Sequence, residues 1–226
     1  GTFAGKIAHD FNNVLNAVLG NADFILADLN PGPEIQDCLK DIEKAAQQGS
    51  HLVQQILTFG GSRSARKTET DLGRLVKETV DLLKVRLGPE VHLIIQIPER
   101  PVEALVEAGQ LQRVLNNLVV NASHALEGRP GDITVSVERV AVQIGEDPEL
   151  SGGNYACISV SDTGSGMSEE VKRNAFDPFF TTKRSGEGTG LGLSIVHGVV
   201  KSHRGVIKLD SQLGKGTTFS LYFPLS

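Results

Sequence analysis

Asp162-Thr163-Gly164-Ser165-Gly166-Met167 follows a β-prone run, Tyr155 to Val160, rich in Val and Ile. Branched residues of that kind fit a strand. The glycines after it let the backbone turn sharply and approach a ligand without Cβ interference. A carboxylate fixed at Asp162 can accept a hydrogen bond from the exocyclic amine of adenine, where guanine carries a carbonyl at the matching position. Taken alone, the hexapeptide reads equally well as an ordinary Asp-Thr-Gly turn.

Working outward, Gly188-Thr189-Gly190-Leu191-Gly192-Leu193 opens an apolar helix that runs from Leu191 to Ser202. Backbone N–H groups at a helix start, with the positive end of its dipole, form a phosphate cradle. No Gly-Lys-Ser/Thr follows, so this is not a Walker loop, and no N-terminal βαβ unit surrounds it, so it is not a dinucleotide fingerprint. Asn117-Leu118-Val119-Val120-Asn121-Ala122 belongs to a long helix from Gln110 to Leu126. Its two asparagines, four residues apart, share one face. They can serve a ligand or simply be helix-surface polarity. Gly214-Lys215-Gly216-Thr217 lies between Val206–Leu209 and Thr217–Phe223, which read as a closing hairpin.

Further elements surround these motifs. Asp71 to Leu87 is expected to be helical with Asp71 as N-cap. Val91 to Ile97 alternates like a strand, and Ile133 to Val142 is strand-like. Interleaved strands and helices over residues 69–226 define a two-layer α/β sandwich. Residues 61–68, with Gly61-Ser62-Arg63-Ser64, form a polar linker.

Residues 1–60 have a different pattern. Ile7, Phe11, Val14 or Leu15, Val18, Ala22 and Ile25 form one helical seam, and Asn30-Pro31-Gly32-Pro33 breaks it. A second helix from Glu34 to about Phe59 carries Ile35, Ile42, Gly49 and Ile56 at seven-residue spacing, with Leu39, Ala46 and Val53 between. That repeat asks for a coiled-coil-like partner. One hairpin has too little core to stand alone, so two are expected to pair as a four-helix bundle in a homodimer. The fold class is therefore α+β: a dimerising antiparallel hairpin at 1–60, then a sandwich domain.

On the first helix, counting about 100° per residue from Ile7, Phe11, Val14 and Val18 stay within roughly 40° of it. His9 falls at about 200°, Asn13 at about 240° and Asp10 at about 300°. His9 is thus expected on the solvent face, beside a carboxylate and an amide. An exposed imidazole is mostly neutral at neutral pH and competent as a nucleophile. Asp10 is placed to accept the proton-bearing ring nitrogen's N–H and fix the tautomer. His51, His92, His124, His197 and His203 lack such a neighbour.

The 226 residues are 22% charged and 39% hydrophobic, an ordinary globular composition. A net charge of −5 argues against a nucleic-acid partner. Cys38 and Cys157 stand far apart without metal-ligand company and are expected to be reduced thiols. No apolar run reaches the roughly 18–20 residues that span a bilayer. The chain begins eight residues before His9. It is expected to be a fragment of cytoplasmic location, with any inner-membrane anchor in a sensor region outside it.

In this order, His9-Asp10-Phe11-Asn12-Asn13 and the four motifs resemble the H, N, G1, G2 and G3 boxes of sensor histidine kinases over the whole chain. The resemblance implies the ATP-binding fold shared by histidine kinases, gyrases and heat-shock chaperones. It implies ATP and Mg²⁺ as ligands, with Asn121 on the metal and Asn117, Asp162, Gly164, Gly166, Gly188, Thr189, Gly190, Leu191, Gly192 and Thr217 around the nucleotide. Phe176-Asp177-Pro178-Phe179-Phe180-Thr181-Thr182-Lys183 resembles the F box, part of a lid between the glycine boxes. Lys183 either reaches a phosphate or is a solvated lysine.

By the same resemblance, His9 takes the γ-phosphoryl group and passes it to an aspartate of a response-regulator receiver, which is absent from this chain. Asn13 is expected either to position water for dephosphorylating that regulator or only to solvate its helix. Where ATP-hydrolysing cousins have a glutamate four residues before the metal-binding asparagine, this chain has Asn117, which is no base at neutral pH. That weighs against an ATP-driven conformational machine of the gyrase or chaperone type. The intact glycine motifs weigh against a non-catalytic phosphotransfer scaffold.

Overall fold

The structure is a computed structural model that describes residues 15, 18–20, 22, 25, 32, 35, 36, 39, 42, 46, 49, 67–178, 180–182 and 190–225. The chain divides into two compact units, Gly1–Ala65 and Arg66–Ser226.

In the first unit the described residues are helical apart from Gly32, whose carbonyl accepts the N–H groups of Ile35 and Gln36, both at 3.0 Å. The second helix thus begins just past the Pro-Gly-Pro break. Ala22, Leu39 and Ala46 are buried, while Ile35 and Ile42 are 55% and 44% exposed. A Cβ built on Gly49 would lie 3.0 Å from Leu15 Cδ2, so this glycine lets the two helices approach closely.

The second unit contains β1 (Thr68–Asp71), α1 (Leu72–Lys84), β2 (Val91–Gln96), β3 (Glu103–Val106), α2 (Ala108–Ala125), β4 (Gly131–Val142) and β5 (Gly153–Asp162). It continues with α3 (Glu169–Asn174), α4 (Gly192–Ser202), β6 (Val206–Gln212) and β7 (Gly216–Pro224). Five strands form one sheet in the order β2-β4-β5-β7-β6. Only β2 and β4 run parallel within it. The closing β6–β7 hairpin is present as expected.

Each strand has one face in the core. On β5, Ala156, Ile158, Val160 and Asp162 are buried while Ser159 and Ser161 are half-buried. On β7, Thr217, Phe219, Leu221 and Phe223 alternate with less buried Thr218, Ser220 and Tyr222. This two-residue period is that of a sheet covered on one side. The cover is helical. α1 buries Leu72, Leu75, Val76, Val80 and Leu83, α2 buries Leu111, Val114, Leu115, Leu118 and Val119, and α4 buries Val196 and Val200. Each such side chain contributes roughly 1.5–3 kcal/mol on burial. The result is the expected two-layer α/β sandwich.

Asp71 caps α1 as expected, its Oδ1 accepting the N–H groups of Gly73 (3.0 Å) and Arg74 (3.4 Å). The helix ends at Lys84, three residues before the expected Leu87 and ahead of Gly88-Pro89. Two short strands were not anticipated. β1 and β3 pair antiparallel as a separate two-stranded sheet, and β1 starts at Thr68, the last residue assigned to the linker. Lys67, just before it, donates through Nζ to the carbonyl of Ser202 at 2.6 Å, tying this end of the unit to the C-terminus of α4.

Candidate nucleotide-binding site

The motifs converge at one end of the sheet. Asp162 is the last residue of β5 and pairs with Ile133 of β4 and Thr217 of β7. Its side chain lies on the core-facing side with Ile158 and Val160, only 7% exposed. Oδ1 accepts the N–H of Gly164 at 2.8 Å. Burial raises the carboxyl's pKa above the usual value, while the backbone N–H groups of Gly164 and Thr217 pull it down.

The glycines are required by close backbone approach. A Cβ on Gly164 would sit 2.6 Å from the Ala125 carbonyl oxygen at the end of α2. Ser165 donates its N–H to that same carbonyl at 2.9 Å. Gly166 (φ +66°) and Gly216 (φ +108°) occupy the left-handed region, and a Cβ on either would strike the backbone of Gln212 or Asp162. Gly214 donates to the Ser165 carbonyl at 2.7 Å, so the first and third glycine motifs are hydrogen-bonded to each other.

The second glycine motif meets α2 one to two turns earlier. The carbonyl of Gly192, first residue of α4, accepts Asn117 Nδ2 at 3.4 Å. A Cβ on Gly192 would lie 3.8 Å from Asn121 Nδ2. Asn117 and Asn121 are half-buried on the same face, as their spacing requires. Gly190 has φ +65°, and Leu191 is the N-cap of α4. The Leu191 side chain is buried, so what it can offer a phosphate comes from its backbone. The first N–H groups of a helix have no partner within it, which leaves this start suited to an anion.

Of the expected site residues, Asp162, Gly164, Gly166 and Thr217 thus form one cluster, and Asn117, Asn121, Gly190, Leu191 and Gly192 form another, both built against α2. His9, Asp10, Asn13, Lys183, Gly188 and Thr189 lie outside the described residues, as does Phe179. Phe176 packs against His197 of α4 (ring centroids 5.5 Å apart) and Phe219 of β7 (6.3 Å), so it and His197 are packing residues.

Sequence reasoning missed Ser211, buried on β6 directly opposite Thr217. The signal was its parity. It shares the face of Ile207 and Leu209, a hydroxyl in a core register, but the strand was expected to end at Leu209. Cys157 is buried, which raises its thiol pKa and leaves it inert.

Nucleotide-binding geometry on an α/β sandwich agrees with the sequence comparisons. Residues 107–226 match the family described as histidine kinase-, DNA gyrase B- and HSP90-like ATPase, and the chain belongs to that family. Residues 1–65 match the His Kinase A (phospho-acceptor) domain. Together these make the chain the catalytic core of a two-component sensor histidine kinase.

Among curated relatives, the sensor kinase CckA of Brucella abortus (strain 2308) is 36% identical over 99% of this chain and 24% of its own length. The sensor histidine kinase ZraS of Escherichia coli (strain K12) is 30% identical over 100% of this chain and 46% of its own. The chain therefore spans less than half the length of these relatives, 24% of one and 46% of the other. The crystal structure of full-length ShkA in complex with AMPPNP shares the fold, with TM-score 0.73 and 22% identity over 98% of this chain and 45% of that one. The catalytic domain of histidine kinase ThkA superposes with TM-score 0.57 and 28% identity over 70% of this chain and 95% of that one.

Proposed function

We propose that this core transfers the γ-phosphoryl group of ATP to His9 and then to an aspartate on a response-regulator receiver. A neutral His9 nitrogen attacks the γ-phosphorus, the bond to the β–γ bridging oxygen breaks, and ADP leaves. Asp10 holds the N–H of the other ring nitrogen and offsets the positive charge that develops on the ring. Asn121 would hold Mg²⁺ through its amide oxygen, one protein ligand being enough for an ion that keeps several waters, and the ion would offset charge on the triphosphate.

The observation that carries this proposal is the buried Asp162 carboxylate, fixed at the end of β5 by glycines whose missing Cβ atoms let the surrounding backbone close tightly about it. Asn117 adds to it. Its amide is engaged with Gly192 and offers no carboxylate to activate water, which favours transfer to histidine over hydrolysis.

A homodimer is the second part. Ile35 and Ile42 face solvent in the single chain at the spacing of a bundle seam, with buried Leu39 between them and buried Ala46 one turn further on. Light scattering should give about twice the 24.2 kDa chain mass. We also assign Asn13 to dephosphorylation of the regulator, and any membrane anchor to a sensor region outside these residues.

The test is chemical. Incubation with γ-labelled ATP should put label on the protein that is lost in acid and stable in base, as phosphohistidine is. Acid-stable label would contradict the proposal.

A further inference from the structure

Asp162, Thr217 and Ser211 stand side by side across three strands, paired in register β5 to β7 and β7 to β6. All three are buried, at 7%, 4% and 6% exposure. Ser211 Oγ makes three polar contacts. It accepts the N–H of Met167 at 2.9 Å, donates to the Gly216 carbonyl at 3.0 Å, and lies 2.9 Å from Thr217 Oγ1. A carbonyl only accepts, so the single Ser211 proton goes to Gly216. The proton between the two hydroxyls must then be that of Thr217, donated to Ser211.

This fixes the polarity of Thr217. With its proton committed, the Thr217 oxygen can only accept, as the Asp162 carboxylate beside it does. Two acceptors in register suit the exocyclic amine of adenine, which has two protons to give, and oppose the carbonyl that guanine carries there.

We propose that Ser211 is a positioning residue for nucleotide specificity, holding the Thr217 hydroxyl as an acceptor so that the site takes adenine and rejects guanine. The proposal rests on the assignment of Asp162 to the adenine amine made above. Without Ser211, the Thr217 hydroxyl is free to turn and donate to guanine.

The experiment compares ATP and GTP affinities by calorimetry on the full 226-residue chain. Ser211→Ala should weaken ATP by about tenfold and cut the ATP-to-GTP preference by at least as much, an unmade buried hydrogen bond being worth that order. Ser211→Cys, which keeps the volume with a weaker acceptor, should move the ratio the same way, and Ser211→Thr should hold it within about threefold. Adding Thr217→Val to Ser211→Ala should change the ratio little further, because the two act as one unit.

A merely structural Ser211 would weaken both nucleotides equally, and an unchanged ratio in the Ala and Cys variants overturns the proposal. Asp162→Asn separates the two levels. If that variant binds ATP as the parent does, the adenine assignment itself fails and takes this inference with it. If it loses ATP while Ser211→Ala keeps the preference, only the inference fails.

Discussion

His203 Nε2 accepts the backbone N–H of Glu107 across 3.0 Å, joining the C-terminal cap of α4 to the N-terminal cap of α2. Nδ1 lies 2.8 Å from the Val199 carbonyl, which can only accept, so Nδ1 carries the proton and the ring is neutral. The two helices that carry Asn117, Asn121 and the second glycine motif are therefore joined at this end by a buried imidazole, packed edge-on to Phe223.

Protonation should break this joint. Burial lowers the His203 pKa below its ordinary value, Lys67 adds to the lowering, and Val199 and Glu107 oppose it. The unfolded chain, with pKa near ~6.5, binds the proton more readily than the fold does. Stability is therefore full above about pH 6.5, falls as pH drops from there toward the folded value, and levels off below it. His203→Gln removes this titration. Urea unfolding at pH 7.5 and 5.0 should show the parent losing more stability than the variant, and equal losses would contradict the assignment.

Asp71→Ala tests the cap of α1. Two N–H groups lose their acceptor, and about 1 kcal/mol of stability should go with them. The urea midpoint should fall with an unchanged slope, and ATP affinity should not move.

Asp162→Asn should lower ATP affinity at least about 100-fold while the domain stays folded, because the amide oxygen can still accept the Gly164 N–H but the charge is gone. In the parent, the raised Asp162 pKa means ATP affinity begins to fall with acid at a higher pH than an ordinary aspartate's ~3.9 implies. Calorimetry across pH reads both effects.

Asn13→Ala should keep most His9 phosphorylation yet slow dephosphorylation of a phosphorylated receiver by about 10²-fold, the weight of one positioned catalytic group. Equal loss of both activities would mean damaged helix packing instead.

Much of this was legible from residue order. Alternation located β2, runs of Val and Ile located β4 and β5, and the glycine clusters located the turns that hold Asp162. β1 is all polar (Thr-Glu-Thr-Asp) and β3, Glu103–Val106, is too short to show a period, and their pairing depends on chain segments more than 30 residues apart. The parallel β2–β4 pair is likewise a tertiary choice. Ser211 and His203 escaped because a lone Ser or His shows its role only once its strand register or helix cap is known.

The central claim is that His9 receives the phosphoryl group from a nucleotide bound at Asp162. The most direct measurement is labelling by γ-labelled ATP and ATP affinity on the same preparations of His9→Gln and the parent chain. The account predicts no label on the variant and an ATP affinity within about twofold of the parent, since one turn of the equilibrium constant by ten needs ~1.4 kcal/mol that a residue outside the nucleotide pocket does not supply. Acid-labile label persisting at parental levels in His9→Gln would contradict it.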